Sequence, residues 1–374
     1  MEIACDFDGG NIELVAVEDR EGGRRARLRI RPDGKAAFHQ WFFFKVMGEP
    51  GAGWSFEIEN AGSSSYPRGW DGYDVVASTA GPAGPAEAWV RVPSRYAEGR
   101  LSWSFAAAGG EAWFAYFAPY SLARNRALVA RAAESPLVRH EVLGQTLEGR
   151  PIDLLSAGGG AQPVWVIARQ HPGETMASWC VEGLLDRLLD PEDAVARALL
   201  KQATLHVVPL MNPDGAAAGH IRTNAGGVDL NRAWCNATPE ASPEVFFVRE
   251  RMAATGVSIF LDIHGDEGLP YVFLVDADNV PSVTPGMVER RRTFAAVLER
   301  ADPDFQTVHG YPPSPTANLD IGSKYVAETF QCLSMTLEQP FKDAANLPLP
   351  AVGWSPGRCR RLGAACLTAM LAAL

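Results

Sequence analysis

Two textures of hydrophobic and polar positions divide the chain. Up to about residue 120, short segments rich in β-branched and aromatic residues (12–17, 25–30, 38–46, 55–59, 72–76, 88–92 and 101–105) alternate with turns such as Asp8-Gly9-Gly10, Pro32-Asp33-Gly34 and Gly109-Gly110. Such a series predicts an antiparallel β-sandwich in place of βαβ units. Trp41, Trp54, Trp70, Trp89, Trp103 and Trp113 all fall in this region and are expected to fill its core. The aromatic stretch 113–121 followed by helical composition over 122–132 marks a boundary, giving an N-terminal β-sandwich domain at 1–120 and a second domain at 121–374.

The second texture is of strands alternating with helices. Residues 141–155 read as a hairpin turning at Glu148-Gly149, and 163–169 is a nearly continuous apolar run, as in a central strand covered on both faces. Met176, Trp179, Cys180, Leu184 and Leu188 recur at helical spacing until Pro191. Buried strands are predicted over 204–210, 257–263 and 332–337, helices over 244–255, 287–301 and 357–374, and a turn at Asn212-Pro213-Asp214-Gly215. The pattern predicts an α/β domain with a mixed, largely parallel sheet and helices on both faces. In such sheets ligands bind beyond the carboxyl ends of the strands. His171, Asn212, His264 and Glu338 each come just after one of these strands.

Length and composition narrow the picture. The 374 residues exceed what one hydrophobic core usually supports, which favours two domains. A net charge of −10 argues against nucleic acid as the main partner. No apolar run approaches the roughly 18 residues that span a bilayer, so no membrane association is expected. The first residues have neither the basic nor the apolar region of a secretory signal. Six scattered cysteines read as reduced thiols of a cytoplasmic protein.

The candidate chemistry centres on His171-Pro172-Gly173-Glu174, where a strand runs into a turn that opens a helix. A His and a Glu three apart at such a turn can hold one metal ion, and His264 can supply a third ligand. Three protein ligands with an open position suit a hydrolytic zinc site, one ion per chain. Glu338, at the end of a buried strand, is the candidate base for taking a proton from water. Arg222 and Arg232 flank a Gly-containing segment with Asn231, so one fork could stabilise an oxyanion and the other, with the amide, a substrate carboxylate. His39, His140, His206, His220 and His309 lack such settings, and His206 inside a strand reads as structural.

Taken in order, His171-Pro172-Gly173-Glu174, Asn212-Pro213-Asp214-Gly215, Arg222, Asp229-Leu230-Asn231-Arg232, His264-Gly265 and Thr336-Leu337-Glu338 resemble the zinc carboxypeptidases of the funnelin type, within them the cytosolic carboxypeptidase-like branch. The resemblance covers residues 120–374, and the β-rich region before it resembles that branch's N-terminal β-sandwich. It implies that His171, Glu174 and His264 bind zinc and that Glu338 is general base and then acid. It further implies that Arg222 holds the oxyanion, that Asn231 and Arg232 bind the C-terminal carboxylate of a peptide, and that Asp229 orients His171. The family's mobile Tyr corresponds to Tyr311 or Tyr325, a choice that spacing leaves open. Lys324 is a basic candidate for the specificity pocket, which would favour acidic C-terminal residues. A zinc amidohydrolase acting on N-acyl amino acids is the alternative. The pair Asn231-Arg232 favours the peptidase because it offers the α-carboxylate its own receptor.

Overall fold

The computed structural model describes residues 1–20 and 23–374. Its first part carries β1 (Glu2–Ala4), β2 (Glu13–Arg20), β3 (Gly23–Arg29), β4 (Phe43–Met47), β5 (Gly53–Ile58), β6 (Val75–Ser78), β7 (Val90–Val92), β8 (Ser94–Ala97), β9 (Arg100–Ala106) and β10 (Glu111–Ala115). They form two five-stranded sheets, ordered β1-β4-β10-β6-β7 and β2-β3-β5-β9-β8. All pairings are antiparallel except β3 with β5, which run parallel. Strands β1 and β8 are too short to show a periodicity. The segment 38–46 becomes strand only from Phe43, because Gln40 and Trp41 are used as anchors: Trp41 Nε1 donates to Gly9 O, and Gln40 bonds the Tyr66 backbone. The tryptophans pack as core, five of them buried and Trp113 partly so.

The second part carries α1 (Leu122–Ala133), β11 (Val138–Gln145), β12 (Pro151–Gly158), β13 (Gln162–Ala168), α2 (Met176–Leu188), α3 (Ala194–Gln202), β14 (Ala203–Val208), α4 (Pro213–Ala218), α5 (Pro243–Thr255), β15 (Ile259–Ile263), β16 (Phe273–Val275), α6 (Pro285–Ala301), α7 (Gly322–Phe330), β17 (Leu333–Glu338) and α8 (Pro356–Ala373). The strands form one seven-stranded sheet ordered β11-β12-β14-β13-β15-β17-β16, parallel in its centre and antiparallel at both margins. The predicted turn at Asn212 is the start of α4, with Asn212 capping through Gly215 N. Among the described residues, no helix is long and apolar enough to cross a membrane.

The apolar run of β13 serves two cores. Val164, Val166 and Ala168 face α2 and α8, whereas Trp165 and Ile167 face α5, Trp234 and Val326. Strand alternation makes this division, so a strand covered on both faces must be apolar throughout. Helices α2 and α8 touch backbone to backbone: a Cβ on Gly363 would lie 1.9 Å from Cys180 O, and one on Gly183 would lie 2.1 Å from Arg360 O. Only glycine permits that approach. The core on the α2 side continues without a break into the N-terminal sheets, where Tyr116 stacks on Phe341 at 4.3 Å. Across the same boundary, the buried Arg91 donates to Phe341 O at 2.6 Å and to Trp354 O at 3.2 Å.

Glu182 ties three helices together. Its carboxylate accepts two bonds from Arg124 on α1 (2.8 Å each), one from Tyr120 (2.8 Å) and one from Arg360 on α8. Burial would raise its pKa, but the two arginines hold it down to about 2, below the ordinary 4.5. A depressed carboxylate stabilises the fold above its unfolded pKa, and that stability is lost as pH falls through its folded pKa. Glu182→Gln is therefore expected to cost about 3 kcal/mol at neutral pH, as when one partner leaves a buried ion pair. Urea titrations should show the penalty level from pH 5 to 8 and shrinking below pH 4.

Candidate active site

Beyond β13 the chain leaves the sheet through Arg169, whose φ of 61° is left-handed and strained for a non-glycine residue. The Arg169 guanidinium holds this turn from inside, donating to Pro172 O at 2.9 Å, Ser178 Oγ at 3.1 Å and Tyr120 O at 3.3 Å. The turn carries His171 and Glu174 to the end of the neighbouring strand β15, where His264 follows. His171 Nδ1 lies 2.6 Å from Glu174 Oε1, His264 Nδ1 lies 2.8 Å from Glu174 Oε2, and the two Nδ1 atoms are 3.2 Å apart. All three side chains are buried, with donor atoms within 4.8 Å of one another.

The outer nitrogens of both rings are held by carboxylates. Asp229 Oδ1 lies 3.1 Å from His171 Nε2, and Asp262 Oδ2 lies 3.0 Å from His264 Nε2. When Nε2–H is donated to these carboxylates, each neutral ring is left with its Nδ1 lone pair facing inward, as a metal-binding imidazole requires. Two imidazoles and one carboxylate, converging and buried, fit the donor set of zinc. Burial would raise the Glu174 pKa, but the two histidines hold it below the ordinary carboxylate range.

Glu338 ends β17, the strand next to β15, and its Oε2 is buried with no hydrogen-bond partner among the described residues. Burial pushes its pKa well above the ordinary value; His264 opposes the shift, and Glu174 and Asp266 add to it. A carboxyl in such surroundings is poised to exchange a proton.

Arg222, Asn231 and Arg232 lie at the two ends of a loop closed by a bridge between Thr223 and Asp229. Asn224 fills the loop, accepting from Gly226 N and Val228 N. Arg222 Nε donates to Asp229 Oδ2 at 2.7 Å and Nη1 to the Tyr66 hydroxyl at 2.5 Å. Asn231 Oδ1 accepts from Gly322 N at 2.9 Å, and the exposed Arg232 donates Nη1 to Asn231 O at 2.7 Å.

A cavity of about 600 Å³ alongside is lined by Phe273, Asp276, Asp278, His309, Tyr311 and Lys324, among others. Tyr311 sits in the loop after Phe305 and donates its hydroxyl to Asp266 Oδ2, two residues past His264. Tyr325 lies on α7 and packs on Trp234 and Arg249, away from this cavity. Lys324 Nζ donates to Asp276 O and, at 2.7 Å, to Asn279 Oδ1. Its pKa is lowered by burial. Of the other histidines, His206 stacks on Trp165 and bonds Ser156, burial lowering its pKa to about 4. His220 bridges Gly34 N and Thr223 O, and His309 stacks on Tyr271.

Sequence reading missed Asp262, Asp33, Tyr66 and Asp266. Asp262 carried a signal, since it stands two positions before His264 in a strand and therefore on the same face. Asp33 and Tyr66 carried none, because their partners lie more than 150 positions away.

Residues 3–117 match the model of the cytosolic carboxypeptidase N-terminal domain, and residues 126–301 match that of zinc carboxypeptidase. The metallo-carboxypeptidase of Burkholderia cenocepacia superposes with a TM-score of 0.95 at 42% identity, covering 100% of this chain and 98% of that one. The metallo-carboxypeptidase of Pseudomonas aeruginosa, solved with (2-guanidinoethylmercapto)succinic acid, gives a TM-score of 0.94 at 43% identity over 99% of this chain and 98% of its own. Human cytosolic carboxypeptidase 1 is 27% identical over 322 residues, which are 73% of this chain but 26% of that protein's length. The chain thus spans about a quarter of that human relative. Fold and site together define a metallopeptidase. The chain belongs to the zinc carboxypeptidase (M14) family, in its cytosolic carboxypeptidase-like branch.

Asp262→Ala is expected to weaken metal binding by about tenfold or more while the fold persists, the usual cost of losing the group that orients a ligating histidine. Competition with a chromophoric chelator measures this directly.

Proposed function

We propose that the protein is a zinc-dependent carboxypeptidase that removes the C-terminal residue of peptides or protein tails and prefers acidic residues there. The observation that carries the reading is the alignment of strand ends: His171 and Glu174 beyond β13, His264 beyond β15 and the unpartnered Glu338 Oε2 at the end of β17. His171, Glu174 and His264 would hold one zinc ion, which supplies Lewis-acid chemistry, acidifying water and polarising a carbonyl.

The chain's own residues then divide the work. Asn231 and Arg232 would receive the terminal carboxylate, fixing the last peptide bond in register with Glu338. Glu338 takes a proton from the attacking water and returns it to the departing amine. Arg222, held at Nε and Nη1, presents its remaining nitrogen to the charge that develops on the carbonyl oxygen. Tyr311 closes the cavity side. Lys324 has three ammonium protons and uses two on Asp276 and Asn279, leaving one for an acidic side chain. The ligand of the Pseudomonas relative, (2-guanidinoethylmercapto)succinic acid, carries both carboxylates and a guanidinium group, so it supports a carboxylate receptor but not an acidic side-chain preference. Cytoplasmic residence agrees with the names of the cytosolic relatives.

Three measurements test this. Purified protein should hold about one zinc per chain by elemental analysis, and His264→Ala should lose it. Glu338→Gln should keep the metal yet lose turnover by about 10²-fold or more; a variant that kept both would remove Glu338 from the reaction. A panel of peptides differing in the last residue, read by mass spectrometry, is expected to show cleavage of free carboxylates, sparing of C-terminal amides and a preference for Glu or Asp that Lys324→Met reduces. Preference for Arg or Lys would make Asp276 and Asp278 the readers of the cavity. Equal cleavage of amides would favour an amidohydrolase.

A further inference from the structure

Loops between the N-terminal strands reach into the candidate active site at three points, and all three converge on Arg222. The buried carboxylate of Asp33 accepts the backbone N–H groups of Ile221 at 2.7 Å, Arg222 at 2.9 Å and Thr223 at 2.8 Å, and also the Thr223 hydroxyl at 3.1 Å. Tyr66 accepts Arg222 Nη1 at 2.5 Å, and the Phe38 ring lies 5.4 Å from the guanidinium carbon. Tyr66 is itself fixed, because the fully buried Gln40 accepts from its backbone N–H at 3.1 Å and donates to its carbonyl at 3.3 Å.

These contacts leave one end of the guanidinium unengaged. Asp229 takes Nε and Tyr66 takes Nη1, while Nη2 forms no hydrogen bond with the described residues. An oxyanion donor acts in proportion to how well it is aimed before the reaction begins. An arginine side chain left free would lose rotamer entropy on each encounter. We propose that Tyr66 and Asp33 are positioning residues for Arg222, aiming Nη2 into the cleft, so that the catalytic site is assembled from both halves of the chain. This rests on Arg222 being the oxyanion donor, as proposed above.

The experiment is a double-mutant cycle on the full chain with bound metal and a peptide substrate. Tyr66→Phe removes one oxygen, and it is expected to keep thermal stability, metal content and KM while kcat falls about tenfold. In an Arg222→Ala background the same change should cost less than about twofold, because its target is gone. Asp33→Asn should behave in the same non-additive way. A Tyr66→Phe kcat within twofold of the parent would overturn the inference. So would a tenfold loss that persists undiminished without Arg222, since Tyr66 would then act independently of it. An Arg222→Ala variant with undiminished kcat would overturn the role of Arg222 itself, and this inference with it.

Discussion

One carboxylate, that of Asp229, joins the two functional parts of the site. Its Oδ1 lies against His171 Nε2 and its Oδ2 against Arg222 Nε, so the His171–Glu174 turn and the arginine loop share one anion. Neither partner would be correctly aimed without it. The same side chain also caps the short turn that follows, through Asn231 N at 3.0 Å, and this sets the direction of the Asn231-Arg232 pair. Burial would favour protonation, yet His171 and Arg222 hold Asp229 below the usual carboxylate range. An anionic carboxylate in that position can orient both partners together.

The central sheet makes this arrangement available. Parallel strands β13, β15 and β17 end at one margin, so residues 90 and more positions apart in sequence become neighbours. That part of the design was legible. Apolar runs located the strands, and the polar residues just beyond them are the ones the sheet brings together in the candidate site. The contributions of the N-terminal sheets were not legible. Asp33 stands in a Pro-Asp-Gly turn, where an Asp is explained by turn chemistry alone. Tyr66 stands in a loop without period. Nothing local distinguishes a turn aspartate that serves its own backbone from one that binds backbone amides 190 positions away. Small elements escaped for another reason, since β16, with three residues, is too short to carry a pattern.

Continuity of the core explains why distant contacts can be accurate. The aromatic packing of the sandwich passes through Tyr116 into Phe341, and Arg91 is bonded to two carbonyls of the second part. A loop carried by a loosely tethered domain could not hold Tyr66 at hydrogen-bonding distance from Arg222. The length and composition that predicted two domains are thus compatible with a structure in which the boundary is itself packed core.

Charge gives the site its appetite for a cation. Glu174, Asp229, Asp262, Asp266, Glu267 and Glu338 gather around two imidazoles and one guanidinium. Glu267 is buried, and burial first, then Glu174 and Asp266, push its pKa well above the ordinary value. Burial and the neighbouring carboxylates together raise the cost of negative charge in a place that water screens poorly. A divalent cation on His171, Glu174 and His264 would offset that charge at its centre. Such binding would stabilise the folded chain. The crowding of acidic groups would therefore favour occupation of the site by a cation.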